Sequence, residues 1–274
     1  MNSTAQPANL THEDDRFPSA PTQTPPRIQL VRIIYVELRK SVDTRAGFWL
    51  LAGVAIAAVL TTGSVLLLAT ADEFTQATFT SAISIPTAVF LPLIAVLSVT
   101  SEWTQRTGLT TFALVPRRSR VMVAKTIAAI LTGVAATIVG FTAGALGNVL
   151  GTKLTGHPTV WNQGVADLGL YTLSNVLVML VGLTIGVLIR NSPGAIAAYF
   201  VYAFVVPPLL MLLAQNQDSF AHLRPWVDPD HAQKALLTGA VSGEQWAHLA
   251  VTTAIWLLLP AFIGMRTLLR SEVK

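Results

Sequence analysis

The strongest structural signal in the chain is a pair of apolar runs, LGLYTLSNVLVMLVGLTIGVLI at residues 168–189 and GAIAAYFVYAFVVPPLLMLLA at residues 194–214. Neither run contains a charged residue. Each is long enough for a helix to cross about 30 Å of hydrocarbon at about 1.5 Å per residue. Because only the four residues RNSP separate the runs, the sequence predicts two antiparallel helices that share a membrane.

Four more apolar runs lie on either side of this pair, so the chain is predicted to contain six transmembrane spans, at residues 47–70, 79–100, 121–150, 168–189, 194–214 and 246–265. The third run is too long for an upright helix, so we expect it to tilt or to extend past the bilayer. The composition agrees, since 52% of the 274 residues are hydrophobic and only 12% are charged, against about 25% in soluble domains. The predicted fold class is an all-α membrane protein.

The distribution of basic residues predicts the orientation of these spans. With six crossings, 15 of the 18 lysines and arginines fall on the side that also holds both termini. Basic residues collect on the cytoplasmic side of membrane proteins. Both termini are therefore predicted to be cytoplasmic. The alanine-rich composition, with more arginine than lysine, favours a bacterial plasma membrane as the location.

Four segments lie outside the spans. Residues 1–27 are polar, contain five prolines and are predicted to form a disordered tail. Residues 28–46 have apolar and charged side chains on opposite faces and are predicted to form an amphipathic interface helix, a plain basic anchor being the alternative. Residues 101–120, SEWTQRTGLTTFALVPRRSR, are too long for a turn. Residues 215–245 are predicted to be a partly helical outer loop rather than a floppy one.

Ionisable residues are nearly absent from the spans, apart from Lys125 near the inner end of the third and His248 near the outer end of the sixth. Catalysis and proton transfer inside a membrane need such residues. The chain has no cysteine and no GxxxxGK[ST] motif to hold ATP phosphates, and its histidines lack the spacing of a helical zinc site. We therefore predict neither an enzyme nor a metal protein, and no bound cofactor.

Small residues and prolines are the other notable features of the spans. The GxxxG pairs at 140/144, 147/151 and 182/186 predict close helix packing. Prolines at 86, 92, 207, 208 and 260 predict helices that bend. Helices that bend around a pathway would line it with uncharged polar groups, and the candidate lining residues are Ser84, Thr87, Asn175, Tyr199 and Tyr202.

The layout and two short motifs resemble the permease subunit of ABC-2 type exporters, the type V fold of ABC transporters. The first motif comprises Glu102, Arg106-Thr107-Gly108, Pro116 to Arg120 and Lys125, and the second begins at Glu37-Leu38-Arg39-Lys40. The resemblance implies that residues 102–114 form a cytoplasmic coupling helix between spans two and three. This helix would dock on a separate ATPase that binds ATP and Mg. Two permease protomers, as a homodimer, would work with two ATPases.

The resemblance also assigns roles to individual residues. It implies that the ATPase-coupling residues are Glu102, Trp103, Arg106, Thr107, Gly108, Arg117 and Arg118. It implies that the interface helix contacts the ATPase through residues among Arg32, Glu37, Arg39 and Lys40.

The predicted function is the export of a hydrophobic or amphipathic compound, of the drug or antibiotic kind, powered by that ATPase. Spans with few charges suit such a cargo better than a bare ion, although an ion, a peptide or a lipid-linked glycan stays open as cargo. The alternative is a non-transporting membrane scaffold or assembly factor that binds lipid or a partner protein. A membrane enzyme or a proton-coupled carrier is disfavoured, and no nucleic acid partner is expected.

Overall fold

A computed structural model describes residues 28–104 and 118–270, and all regular structure within these ranges is helical. Two helical 3₁₀ turns, Ala71–Glu73 and Ala235–Leu237, accompany the longer helices. The helices are α1 Leu30–Asp43, α2 Arg45–Leu68, α3 Gln76–Thr104, α4 Arg118–Thr155, α5 Val165–Ile189, α6 Ser192–Asn216, α7 Asp218–Val227, α8 Pro229–Lys234 and α9, which runs through Gly243–Thr253, Ala254–Leu258 and Leu259–Arg270.

Six helices, α2 to α6 and α9, are long and apolar enough to cross a membrane. This confirms the predicted helical class and the predicted number of membrane-length helices. Most of the helices extend past the predicted ends, because backbone hydrogen bonding continues through polar residues that a search for apolar runs leaves out. The longest is α4, whose 38 residues extend roughly 57 Å at 1.5 Å per residue, well beyond the thickness of the hydrocarbon layer.

Contacts between helix termini show which termini lie together at each end of the bundle. The two ends are here called the α1 end and the loop end. The α1 end holds the start of α1 and the end of α9, and its contacts are Arg120 to the Ile28 carbonyl at 2.9 Å, Thr104 to Ser192 at 3.1 Å and Arg190 to Thr267 at 2.9 Å. The loop end holds the bridge between Thr75 and Val160 and the short helices α7 and α8.

Helix α3 lies at the centre of the bundle and packs closely against α4 and α5 through glycines. A Cβ atom added to Gly144 would lie 2.7 Å from the Thr80 hydroxyl oxygen, and one added to Gly182 would lie 2.4 Å from the Pro92 carbonyl oxygen. Five of the six glycines in the predicted GxxxG pairs face α3, and they allow its backbone to come close to those of its neighbours. The sixth, Gly151, faces Leu66 of α2 and Phe74.

Replacing Gly182 with alanine is expected to destabilise the bundle, because the new methyl group would collide with the backbone of α3. Overpacking of this kind costs about 1–3 kcal/mol. The matched control is Gly169→Ala on the same helix, where nothing lies within 4 Å of the added methyl and helix propensity favours alanine by about 0.5–1 kcal/mol. Thermal unfolding in mild detergent should show a lower melting temperature for Gly182→Ala only. Equal melting temperatures for the two variants would show that the close approach is absent.

Two of the membrane-length helices are irregular beside their prolines. In α6 the π-helical turn Val201–Val205 precedes Pro207 and Pro208, and in α9 the π-helical turn Ala254–Leu258 precedes Pro260. Proline has no N–H to donate and its ring clashes with the carbonyl four residues earlier. A π turn widens the helix at that carbonyl and thus accommodates the ring.

The segment between α6 and α9 is built around a buried aspartate. Asp228 is fully buried and accepts hydrogen bonds from the backbone N–H groups of Asp230 and His231 and from the Arg224 guanidinium at 2.9 Å. Beyond α8, Leu236 packs with Ala232 and Leu249 against α5. Short helices therefore cover the loop end.

Candidate functional site

Helix α1 folds across the α1 end because the chain turns sharply at Thr44. This residue has an extended backbone between α1 and α2, and its hydroxyl oxygen accepts a hydrogen bond from the Gly47 N–H. Such a side chain satisfies one of the free N–H groups at a helix start. The turn also leaves no space for a side chain at residue 47, since a Cβ there would lie 2.1 Å from the Ser41 carbonyl oxygen.

Helix α1 has an exposed apolar surface and a separate surface that is buried against the bundle. Val31, Tyr35 and Val42 are more than half exposed, as an interface helix with its apolar face towards lipid would require. Ile33 and Glu37 are instead buried against the bundle. The sequence analysis identified the first surface but not the second, because a carboxylate on the inner surface marks that face as polar until its partner is known.

That partner is Lys125, and four charged side chains meet here. The four-charge cluster consists of Glu37 and Lys40 from α1, Glu102 from α3 and Lys125 from α4. The Lys125 ammonium lies 2.6 Å from Glu37 and 3.1 Å from Glu102, and the Lys40 ammonium lies 2.9 Å from each carboxylate. Two positive and two negative charges thus form a closed, neutral set.

The lysine at the centre of the cluster is fully satisfied. Its ammonium has three donors, and these reach Glu37, Glu102 and the Ser98 carbonyl oxygen at 2.7 Å. Ser98 and Glu102 are four residues apart and therefore lie on one face of α3. The Lys125 side chain is 2% exposed. A buried charge with complete hydrogen bonding holds its neighbours in one arrangement, whereas one with a missing partner is strongly destabilising.

Lys40 stands at the open edge of the cluster, with 41% of its side chain exposed. Partial burial lowers the pKa of Lys40, but the negative charges of Glu102 and Glu37 outweigh this effect and the net pKa is raised above 10.5. A raised lysine pKa contributes stability that is complete below 10.5 and is lost as the pH rises through the higher folded value. At neutral pH Lys40 therefore stays charged and paired.

The structure brings together only part of the predicted coupling set. Glu102 is 8% exposed and faces the cluster, so its carboxylate does not form an open contact surface. Trp103 lies beside it, with the Arg190 guanidinium 5.3 Å from its ring centroid, within the range of a cation–π contact. Arg106, Thr107, Gly108 and Arg117 lie outside the described residues, and Arg118 begins α4.

The predicted interface residues fall into two groups. Glu37 and Lys40 belong to the four-charge cluster, as described above. Arg32 and Arg39 are exposed, and Arg39 pairs with Asp43 one turn later at 2.5 Å. Arg32 and Arg39 are therefore accessible to a protein or lipid partner, whereas Glu37 is not and Lys40 is only partly exposed.

The candidate pathway residues also fall into two groups that lie in different places. Ser84, Thr87 and Asn175 line one small cavity of about 20 Å³ between α3, α4 and α5, which is enough for about one water molecule. The Tyr199 hydroxyl instead donates to the Ala88 carbonyl at 2.5 Å, and the Tyr202 ring packs edge-on against Trp256. The five residues thus do not form one continuous lining.

Sequence reasoning placed Lys125 in the family motif but did not list it as a site residue. A signal was available, because a lysine inside an apolar helix needs a partner and the nearest carboxylates in the layout are on α1 and α3. What the sequence lacks is the distance between helices that are far apart in the chain. Glu37 and Lys125 are separated by 88 positions.

His248, the other ionisable residue of the spans, lies at the loop end. It is 9% exposed, and its ring meets Trp226 edge-on with 4.4 Å between centroids. It borders a cavity of about 270 Å³, and its Nε2 atom has no hydrogen-bond partner among the described residues. Within residues 28–104 and 118–270, no three histidine, aspartate or glutamate side chains gather as a metal site requires.

No known protein-family model matches the chain, and no curated protein matches it in sequence. The family resemblance therefore rests on the residues and layout given above.

Proposed function

We propose that this protein is the membrane permease of an ATP-driven exporter for hydrophobic or amphipathic compounds, working with a separate ATPase and a second copy of itself. The observation that carries the proposal is the four-charge cluster. It joins an amphipathic helix to two membrane-length helices at the α1 end, which the distribution of basic residues predicts to be cytoplasmic.

The cluster would act as a rigid joint. Residues 105–117 connect the end of α3 at Thr104 to the start of α4 in the sequence, and the cluster ties these two helices to α1. A force applied by an ATPase to this segment would therefore move α1, α3 and α4 together. Transport by alternating exposure of a pathway requires packed helices to move as such units.

The interior between α3, α4 and α5 supports an uncharged cargo. The polar part of its cavity lining consists of hydroxyl and amide groups such as those of Ser84, Thr87 and Asn175, and the lining includes no Asp, Glu, Lys, Arg or His. At about 20 Å³ the cavity is too small for such a cargo, so cargo would pass only after the helices separate. The prolines and π turns of α6 and α9 are the kinds of position at which helices bend.

The proposal predicts that the chain purified from its native membranes in mild detergent carries ATP hydrolysis activity. Because the sequence has no phosphate-binding loop, this activity must come from a bound subunit. The control is the same tagged chain expressed alone in another host, which should hydrolyse no ATP. If repeated preparations from native membranes yield the folded protein without ATP hydrolysis, this result would contradict the proposal and favour the scaffold.

A further inference from the structure

We infer that the α1 end contains a binding site for one anionic phospholipid, with the lipid phosphate at Arg45 and the start of an acyl chain along Leu97. This inference concerns a cavity that the four-charge cluster borders but does not fill. It does not depend on whether the protein is an exporter.

The cavity lies between α1, the start of α2 and the end of α3, and its volume is about 710 Å³. This lies within the range of about 300–1,000 Å³ that is typical of small-molecule sites. Its lining is divided by polarity. The polar side includes Lys40, Thr44, Arg45 and Ser101, and the apolar side includes Leu50, Ile94 and Leu97. A molecule that matches both sides must itself be amphipathic.

The charge of the lining selects an anion. Lys40 and Glu102 both border the cavity, but they are neutralised within the four-charge cluster. Arg45 is exposed, and its side chain has no ion-pair partner in the part of the chain that the structure describes. It therefore leaves one unbalanced positive charge on the lining. A guanidinium is the side chain best suited to bind phosphate oxygens, because its donors can bond two of them at once.

Aromatic side chains place this cavity at the depth of lipid headgroups. Trp49 lies one turn after Arg45 in α2 and is 69% exposed, and Tyr35 of α1 is 61% exposed. Tryptophan and tyrosine are enriched where hydrocarbon meets water. The phosphate of a phospholipid lies at this level, directly above its acyl chains. A free anion would gain nothing from Leu50 and Leu97, which favours the lipid as occupant.

The test measures how much lipid the full chain retains. The protein is purified in mixed micelles that contain equal amounts of phosphatidylglycerol and phosphatidylcholine, and the lipid retained per chain is counted by mass spectrometry. The wild type is expected to retain about one phosphatidylglycerol in preference to phosphatidylcholine. Arg45→Gln should reduce this retention about fivefold, the effect of one basic residue near a charged lipid surface, and Arg45→Lys should keep most of it.

The matched control is Arg32→Gln, which removes the same charge from an exposed position on α1. A site predicts that Arg32→Gln retains the lipid, whereas general attraction of lipid to a basic surface predicts equal losses in both glutamine variants and would overturn the inference. Leu97→Trp is a second variant that fills the apolar side without changing charge, and it should also lose the lipid.

Two other occupants give distinct results. If the cavity binds free phosphate, inorganic phosphate at about 10 mM should displace the retained lipid from the wild type. If residues 105–117 fill the cavity, the wild type should retain no more phosphatidylglycerol than Arg45→Gln does. Either result would overturn the lipid assignment, while lipid that resists phosphate and is lost only with Arg45 or Leu97 supports it.

Discussion

Replacing Lys125 with alanine is expected to lower the free energy of unfolding by about 3–5 kcal/mol, the usual cost of removing one partner from a buried ion pair. The variant leaves Glu37 and Glu102 with a single ammonium, that of Lys40, and gives the cluster a net negative charge. It also removes a donor from the Ser98 carbonyl. Unfolding by SDS titration in mild-detergent micelles measures the effect.

The control for this loss is Lys153→Ala. Lys153 lies on the same helix, α4, but it is exposed and has no ion-pair partner among the described residues. Its removal should change the free energy of unfolding by about 0.5 kcal/mol or less. Similar losses for the two lysines would mean that Lys125 is not buried among carboxylates.

The double variant Glu37→Leu with Lys125→Met is expected to lose much less free energy of unfolding than the sum of the losses in the two single variants. Each single change leaves the cluster with one unbalanced charge, whereas the double change removes one charge of each sign. Lys40 and Glu102 then remain as a neutral pair at 2.9 Å. Buried ion pairs can be replaced by apolar residues of similar size with little loss, so the coupling free energy should approach about 3 kcal/mol, the upper end for residues in contact.

A double-mutant cycle with the same SDS titration gives this coupling free energy directly. The comparison cycle pairs Arg39→Ala with Lys125→Met, because Arg39 lies on α1 but points to solvent and contacts Asp43 instead. That cycle should be additive within about 0.5 kcal/mol. An additive result for Glu37 and Lys125 would show that the two side chains do not interact, and would remove the joint on which the proposed function depends.

The cluster also changes how a substitution at Glu102 is interpreted. Glu102→Lys would place a third ammonium beside Lys40 and Lys125, so it should destabilise the bundle as well as any contact with a partner. A loss of ATPase binding in that variant therefore does not by itself identify Glu102 as a contact residue. Exposed residues such as Arg32 and Arg39 are cleaner probes of a partner surface.

The sequence was sufficient to predict the membrane-length helices, because their signal is local: each apolar run is read without reference to the others. The packing glycines were also predictable, since a small residue every fourth position marks a helix face. The structure adds that five of these six glycines face α3, which depends on how the helices are arranged around one another. It adds the π turns before Pro207 and Pro260 for the same reason.

The candidate site was only partly predictable. Glu37, Lys40 and Glu102 were identified through the family resemblance, as contacts to a partner. Their meeting with Lys125 depends on the turn at Thr44, which folds α1 back over the bundle. The sequence pattern of α1 does not predict this contact, because Glu37 counts as a polar residue whether it faces water or a buried lysine. The candidate pathway residues do not form one lining for a related reason. A polar side chain in a span can donate its hydrogen bond to a backbone carbonyl of a neighbouring helix instead of facing a pathway, as the Tyr199 hydroxyl does to Ala88.

The most direct test of the account is the intact mass of the complex purified from native membranes, measured by native mass spectrometry. If this chain is the permease of an ATP-driven exporter, the mass should equal two copies of the 29.3 kDa chain plus two copies of an ATPase that carries a phosphate-binding loop. A mass that corresponds to this chain alone, as a monomer or a dimer with no ATPase bound in repeated preparations, would contradict the exporter and leave the membrane scaffold as the better account.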